Sequence, residues 1–327
     1  MRIKKTLTTL LQYGFFFGLA AALLYWQYGK LTEEDKAQIA VAFTQVNDRL
    51  WLAIPVVLVG FLSHYFRALR WKLLLKPLQL TPRTFNITLA VLIGYLVNLL
   101  LPRMGEVARC SILAKYENEP VDKIVGTIVA ERSFDMICLM IITLITYLVQ
   151  MDVANNYIAS QTAQLHLSGK AIIGLVVVLV VLAGLVVFVY RRSQSTKLGA
   201  IIKGLGEGIV SIFKMKNWGL FLLYTVLIWF CYLSLIVIGY KAIVATEHLG
   251  WTEALSVLVF GSVGMIATPG GIGAYPIAVQ GVLTSLYDIN KIFALAYGWI
   301  SWLAQTLTIL VLGILSLVLL PLYNSKK

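Results

Sequence analysis

Long apolar stretches separated by short polar ones run the length of the chain, and their lengths predict helices that cross a membrane. They cover about 7–28, 51–66, 134–150, 171–190, 217–240 and 293–320. Two further apolar stretches, 85–101 and 254–286, are interrupted or followed at once by proline, glycine and polar residues. Whether those two cross the bilayer decides the architecture. The first stretch, Leu7 to Tyr28, follows Arg2, Lys4 and Lys5, as a signal peptide would. It is too long for a signal core and ends on the interface aromatics Tyr25, Trp26 and Tyr28, so it reads as a retained helix.

The 27 lysines and arginines arbitrate the topology, because basic residues collect in cytoplasmic loops. If 85–101 crosses fully, with a cytoplasmic N-terminus, 11 basic residues lie inside and 16 outside, against the rule. If 85–101 instead turns back near Pro102, 21 lie inside and 6 outside. The second arrangement wins. The expected fold is an all-α polytopic membrane protein with about six full transmembrane helices and two re-entrant hairpins, about 85–116 and 254–286. Each half then reads span, span, hairpin, span, in opposite orientations, which is an inverted-topology repeat. Residues 1–327 form a single membrane domain, with 1–150 the first repeat and 171–327 the second. Both termini are expected in the cytoplasm of a bacterial inner membrane.

Composition agrees: 59% of residues are hydrophobic, only 13% are charged, and the mean hydropathy is +0.84, so the bilayer must serve as solvent for much of the chain. The net charge of +12 is accounted for by loop residues that set orientation, with no need for nucleic acid as a partner. Cys110, Cys138 and Cys231 have no metal-like or disulfide-like spacing, and His64, His166 and His248 lie far apart. Neither a metal nor a cofactor is expected.

The chemistry gathers at the two punctuated stretches. Asn98, Pro102 and Gly105 break the first, and Arg103, Glu106 and Arg109 follow directly. Charges at membrane depth are costly unless paired or facing water. Arg103 and Arg109 fit an anionic head group such as a phosphate, because the guanidinium fork binds two oxygens and a helix N-terminus adds N–H donors. Glu106 could balance them or carry a proton. The plainer reading is a cytoplasmic loop whose arginines only set topology. In the second stretch Pro269, Gly270, Gly271, Gly273 and Pro276 demand a tight turn with free amides that could meet the same head group. Close helix packing would explain these glycines equally well.

Glu131, Arg132 and Asp135 open the span 134–150. They read either as a wall of the same cavity, with Glu131 and Asp135 as further proton carriers, or as a charged cap at the membrane surface. His64, Arg67 and Arg70 read as interface anchors closing the second span. Gln305 and Thr306 either line a polar path or join helices.

Together, Asn98, Leu101-Pro102-Arg103, Gly105-Glu106, Arg109, Glu131-Arg132, Asp135 and Pro269-Gly270-Gly271-Ile272-Gly273 resemble the lysylphosphatidylglycerol synthase transmembrane, flippase-like family. The resemblance covers nearly the whole chain and implies a membrane protein that translocates or handles lipid. The larger members add a cytoplasmic aminoacyl-transferase domain, for which this sequence shows no counterpart, so synthase activity is not expected. The leading reading is a lipid translocase for an anionic phospholipid or polyprenyl-phosphate lipid, held in a mid-membrane cavity between the hairpins. An intramembrane enzyme acting on lipid phosphates stays open as an alternative. So does an accessory subunit of a membrane glycosyltransferase or lipid synthase, and a homo-oligomer or a membrane enzyme stays open as partner.

Overall fold

The computed structural model describes residues 31–101, 104–153, 155–157 and 215–325, together with the isolated positions Gly18, Ala22, Tyr25 and Gly29. The expected span 171–190 and most of 7–28 lie outside the described residues. Among the described residues every regular element is helical: α1 (Glu33–Asp48), α2 (Ala53–Leu75), α3 (Thr84–Leu100), α4 (Gly105–Glu117), α5 (Val121–Val149), α6 (Trp218–Tyr240), α7 (Trp251–Ala267), α8 (Ala274–Tyr287) and α9 (Lys291–Asn324). Short 3-10 turns precede and extend α2, follow α6 and join α7 to α8.

Three helical stretches are long and apolar enough to cross a membrane: Leu50–Leu78, Trp218–Tyr240 and Lys291–Asn324. A fourth qualifies when α5 is taken with its continuation Met151–Tyr157. The arms α3 and α7 are apolar but short, at 17 residues each. At 1.5 Å per residue that is about 25 Å, less than the roughly 30 Å of hydrocarbon. The protein is thus a helical membrane protein with two broken, short-armed segments.

The helix ends follow from local chemistry. The Thr32 hydroxyl accepts from the Asp35 amide while the Asp35 carboxylate accepts from the Thr32 amide, a capping box that starts α1. The Asn290 side chain accepts from the amides of Ile292 and Phe293 and starts α9. Asn118 and Asp288, in the left-handed region, stop α4 and α8.

Packing divides the chain into two compact units, residues 1–125 with 219–327, and residues 126–218. Both hairpins belong to the first, and α9 is its spine, packing against α1, α2, α3 and α8. Its C-terminal part runs antiparallel to α3: Asn324 bonds Asn86, Leu320 packs on Leu89 and Ile93, and Gly313 meets Leu96. Its N-terminal part runs antiparallel to α8, with Gln280 donating to the Lys291 carbonyl and Gly298 lying against Pro276. Small residues allow these close crossings; a Cβ on Gly313 would come within 2.6 Å of the Leu96 Cβ. The two hairpins therefore advance along α9 from opposite ends. They meet where the Leu99 side chain approaches Gly270 and the Trp302 indole N–H donates to the Gly270 carbonyl at 2.7 Å.

Candidate functional site

In the first hairpin, α3 ends at Leu100 and α4 begins at Gly105. The Asn98 side chain closes the gap: its Oδ1 accepts from the Gly105 amide at 2.7 Å, and its Nδ2 donates to Glu106 at 3.5 Å. A Cβ on Gly105 would lie 2.0 Å from the Gly94 carbonyl oxygen and 2.5 Å from the Asn98 Cγ, so only glycine fits. The same pinch brings the Arg109 Cβ against Gly94. At the base, Asn86 donates to Glu117, which confirms the antiparallel register. The break thus falls where Asn98, Pro102 and Gly105 place it in the sequence. Pro102 and Arg103 themselves lie outside the described residues.

Arg109 is 2% exposed, and its guanidinium stacks over the Trp71 ring with Cζ 4.7 Å from the centroid. Such a contact is worth about 0.5–2 kcal/mol and holds the planar fork in one orientation. Glu106, on the same helix, is half-buried.

Two further arginines join this region, buried within the protein where the sequence suggests interface anchors. Arg67 is 4% exposed and Arg70 is fully buried, as is Trp71, and His64 is buried as well. The physical reason is length: α2 continues to Leu75 and its 3-10 extension to Leu78, so residues 64–71 lie inside the helix and not at its exit. The signal was legible in Leu73-Leu74-Leu75, where apolar residues resume beyond Arg70. Spacings of three and four put His64, Arg67 and Trp71 on one face. Arg67 donates to the Tyr232 hydroxyl at 3.0 Å and lies over Tyr95, which also packs on His64. Arg70 donates to the Thr225 hydroxyl at 3.3 Å and lies over Phe221. Three guanidinium groups are therefore buried among the aromatic rings of α2, α3 and α6, beside the first hairpin.

The second hairpin turns through Pro269–Gly271, with Gly270, Gly271 and Gly273 at φ of +60°, +72° and +75°. L side chains avoid this region, so the run of glycines follows from the backbone path. The turn is fixed from within by the Thr268 hydroxyl donating to the Ile272 carbonyl and the Gly271 amide donating to the Thr268 carbonyl. From outside it is held by Trp302 and by the buried Tyr275, whose hydroxyl accepts from Gln305 at 3.4 Å. Gln305 thus joins helices, the second of its two expected roles. Pro276, buried on the first turn of α8, packs on Gly298.

Glu131, Arg132 and Asp135 lie on α5 in the second unit. Glu131 is fully buried, while Arg132 and Asp135 are half-buried. Among the described residues no group of three or more His, Cys, Asp or Glu side chains is placed to hold a metal ion.

The site is thus a pair of helix breaks meeting beside a spanning helix, with buried arginines on one side of the meeting point. No curated protein and no solved structure matches the chain. The family model described as "Lysylphosphatidylglycerol synthase TM region" matches residues 12–324, which takes in both hairpins, α2 and α9. The chain belongs to the lysylphosphatidylglycerol synthase transmembrane family.

Proposed function

We propose that the protein is a lipid translocase that takes an anionic phospholipid or polyprenyl-phosphate lipid past the meeting point of its two hairpins. The observation that carries this is the burial of Arg67, Arg70 and Arg109 in a membrane protein. A guanidinium away from water is costly unless negative charge or aromatic faces answer it, so three buried close together suit an anionic head group. In this reading the phosphate sits against Arg109 and Arg67, Arg103 is assigned to the same head group, and the lipid chains stay in the bilayer. The amides of the Pro269–Gly273 turn meet the head group from the other side.

The chain would be two repeats of opposite orientation, 1–150 and 171–327, each with one re-entrant hairpin, rocking against one another. The convergence of the hairpins from opposite ends of α9 supports this. Glu106, Glu131 and Asp135 are the carboxylates assigned to proton coupling. The protein itself would perform no chemistry, and it would sit in the bacterial inner membrane with both termini in the cytoplasm.

The test is the lipid retained by the purified protein, identified by mass spectrometry. Wild type should keep an anionic lipid, and Arg109→Gln and Arg67→Gln should each lose at least about tenfold of it, the equivalent of about 1.4 kcal/mol. Retention of zwitterionic lipid alone, or equal retention by all three proteins, would overturn the head-group assignment.

A further inference from the structure

On the far side of the hairpin contact the first unit holds a space that the head-group reading does not use. It is a chamber of about 380 Å³ between α1, α2, α6 and α9. Its walls are almost wholly apolar, with Val56, Leu235, Ala242, Ala304 and Leu307 among them. The polar side chains on the wall are largely answered by the protein. Gln305 donates to the Tyr275 hydroxyl at one end, and the Thr308 hydroxyl donates to the Ala304 carbonyl. At the other end the Arg49 guanidinium binds the Glu247 carboxylate at 2.9 Å and the Lys241 carbonyl at 2.7 Å. Apart from the Ser301 hydroxyl, little is left to recruit a polar ligand into the interior.

The chamber is also open on one side. Val57, Leu303, Leu307 and Val311 line it and are at the same time exposed on two of the membrane-crossing helices. The cleft between α2 and α9 is therefore continuous with the surface that bilayer hydrocarbon covers. Its two ends differ in kind. One carries partly exposed Arg49, paired with Glu247, beside Lys241, a polar and charged setting suited to the ester and phosphate region of a lipid. The other is closed by Tyr275 and Gln305. A volume of about 380 Å³ lies at the small end of the roughly 300–1,000 Å³ typical of ligand pockets, which suits one chain and not an entire two-chained lipid.

We propose that this chamber holds a single hydrocarbon chain of a membrane lipid, which slides in sideways between α2 and α9 with its polar end beside Arg49. The site goes beyond the head-group reading and stands whether or not the protein translocates lipid.

The experiment uses the full chain in liposomes containing a phospholipid with a diazirine in one acyl chain. After irradiation, labelled residues are mapped by mass spectrometry. Label should concentrate on Val56, Leu235 and Ala304, above the level on outward residues of the same helices such as Leu58 and Ile314. Ala304→Trp, which fills the space, should lower chamber labelling about tenfold or more and leave label on Ile314 unchanged. Leu235→Trp, filling it from α6, should do the same, so that misfolding of either variant leaves the other to decide. Arg109→Gln should leave chamber labelling intact while losing anionic lipid. Labelling spread evenly over the exposed faces of α2 and α9, or undiminished by either tryptophan, would overturn the inference. So would labelling that falls with Arg109→Gln, since the chamber would then be one site with the arginines.

Discussion

Gly105 has no room for any side chain, because the nearest atoms to its missing Cβ are a backbone carbonyl and the Asn98 amide. Gly105→Ala should therefore lower stability by about 3 kcal/mol or more, since backbone cannot move aside as a side chain can. Thermal unfolding of the purified protein checks this, with Gly281→Ala as the control, because a Cβ there meets nothing within 4 Å. An unchanged melting temperature for Gly105→Ala would mean that the first hairpin is not pinched as described. Asn98→Ala removes the acceptor of the Gly105 amide and should cost about 1–2 kcal/mol at the same break. The residues that mark the breaks were legible in the sequence because proline, glycine and asparagine act locally. For Arg67 and Arg70 only the continuation of α2 was legible, in Leu73-Leu74-Leu75; the rings of α3 and α6 that surround them were not, since those depend on tertiary packing.

At the scale of elements, the two hairpins are joined less to each other than to α9. The first is tied at its base, where Arg83 and Asn86 bond Asn324 and Glu117. The second is tied at its tip by Trp302. Trp302→Phe keeps the ring but loses the donor to Gly270, leaving a carbonyl unsatisfied. It should cost about 1 kcal/mol and loosen the 269–273 turn. Hydrogen exchange on the amides of Gly270 to Gly273 should rise in this variant while the α3–α4 hairpin is unaffected; equal exchange throughout would mean that the indole does not hold the turn. The short arms followed from the sequence as interrupted apolar runs. Their pairing with opposite ends of one helix did not, because α9 reads from sequence only as a uniform apolar span, and its partners are chosen by small residues such as Gly298 and Gly313.

For the whole molecule, the proposed inverted arrangement has the hairpins that approach α9 from opposite ends enter from opposite faces of the membrane. In a background lacking Cys110, Cys138 and Cys231, Lys115→Cys should react with an impermeant maleimide only from the cytoplasmic side, and Lys291→Cys only from outside. Reaction of both from one side would remove the inverted arrangement. The counting of basic residues predicts this orientation because charge asymmetry is a property of the loops and needs no knowledge of packing. The proposed passage of lipid rests on the arginines, and translocation tests that most directly. Liposomes carrying an anionic lipid with a fluorescent head group, reconstituted with the protein, should lose inner-leaflet protection from an impermeant quencher far faster than protein-free liposomes. Arg109→Gln should return the rate to the protein-free level while remaining folded. A wild-type rate no faster than bare liposomes, or an Arg109→Gln rate equal to wild type, would contradict the account.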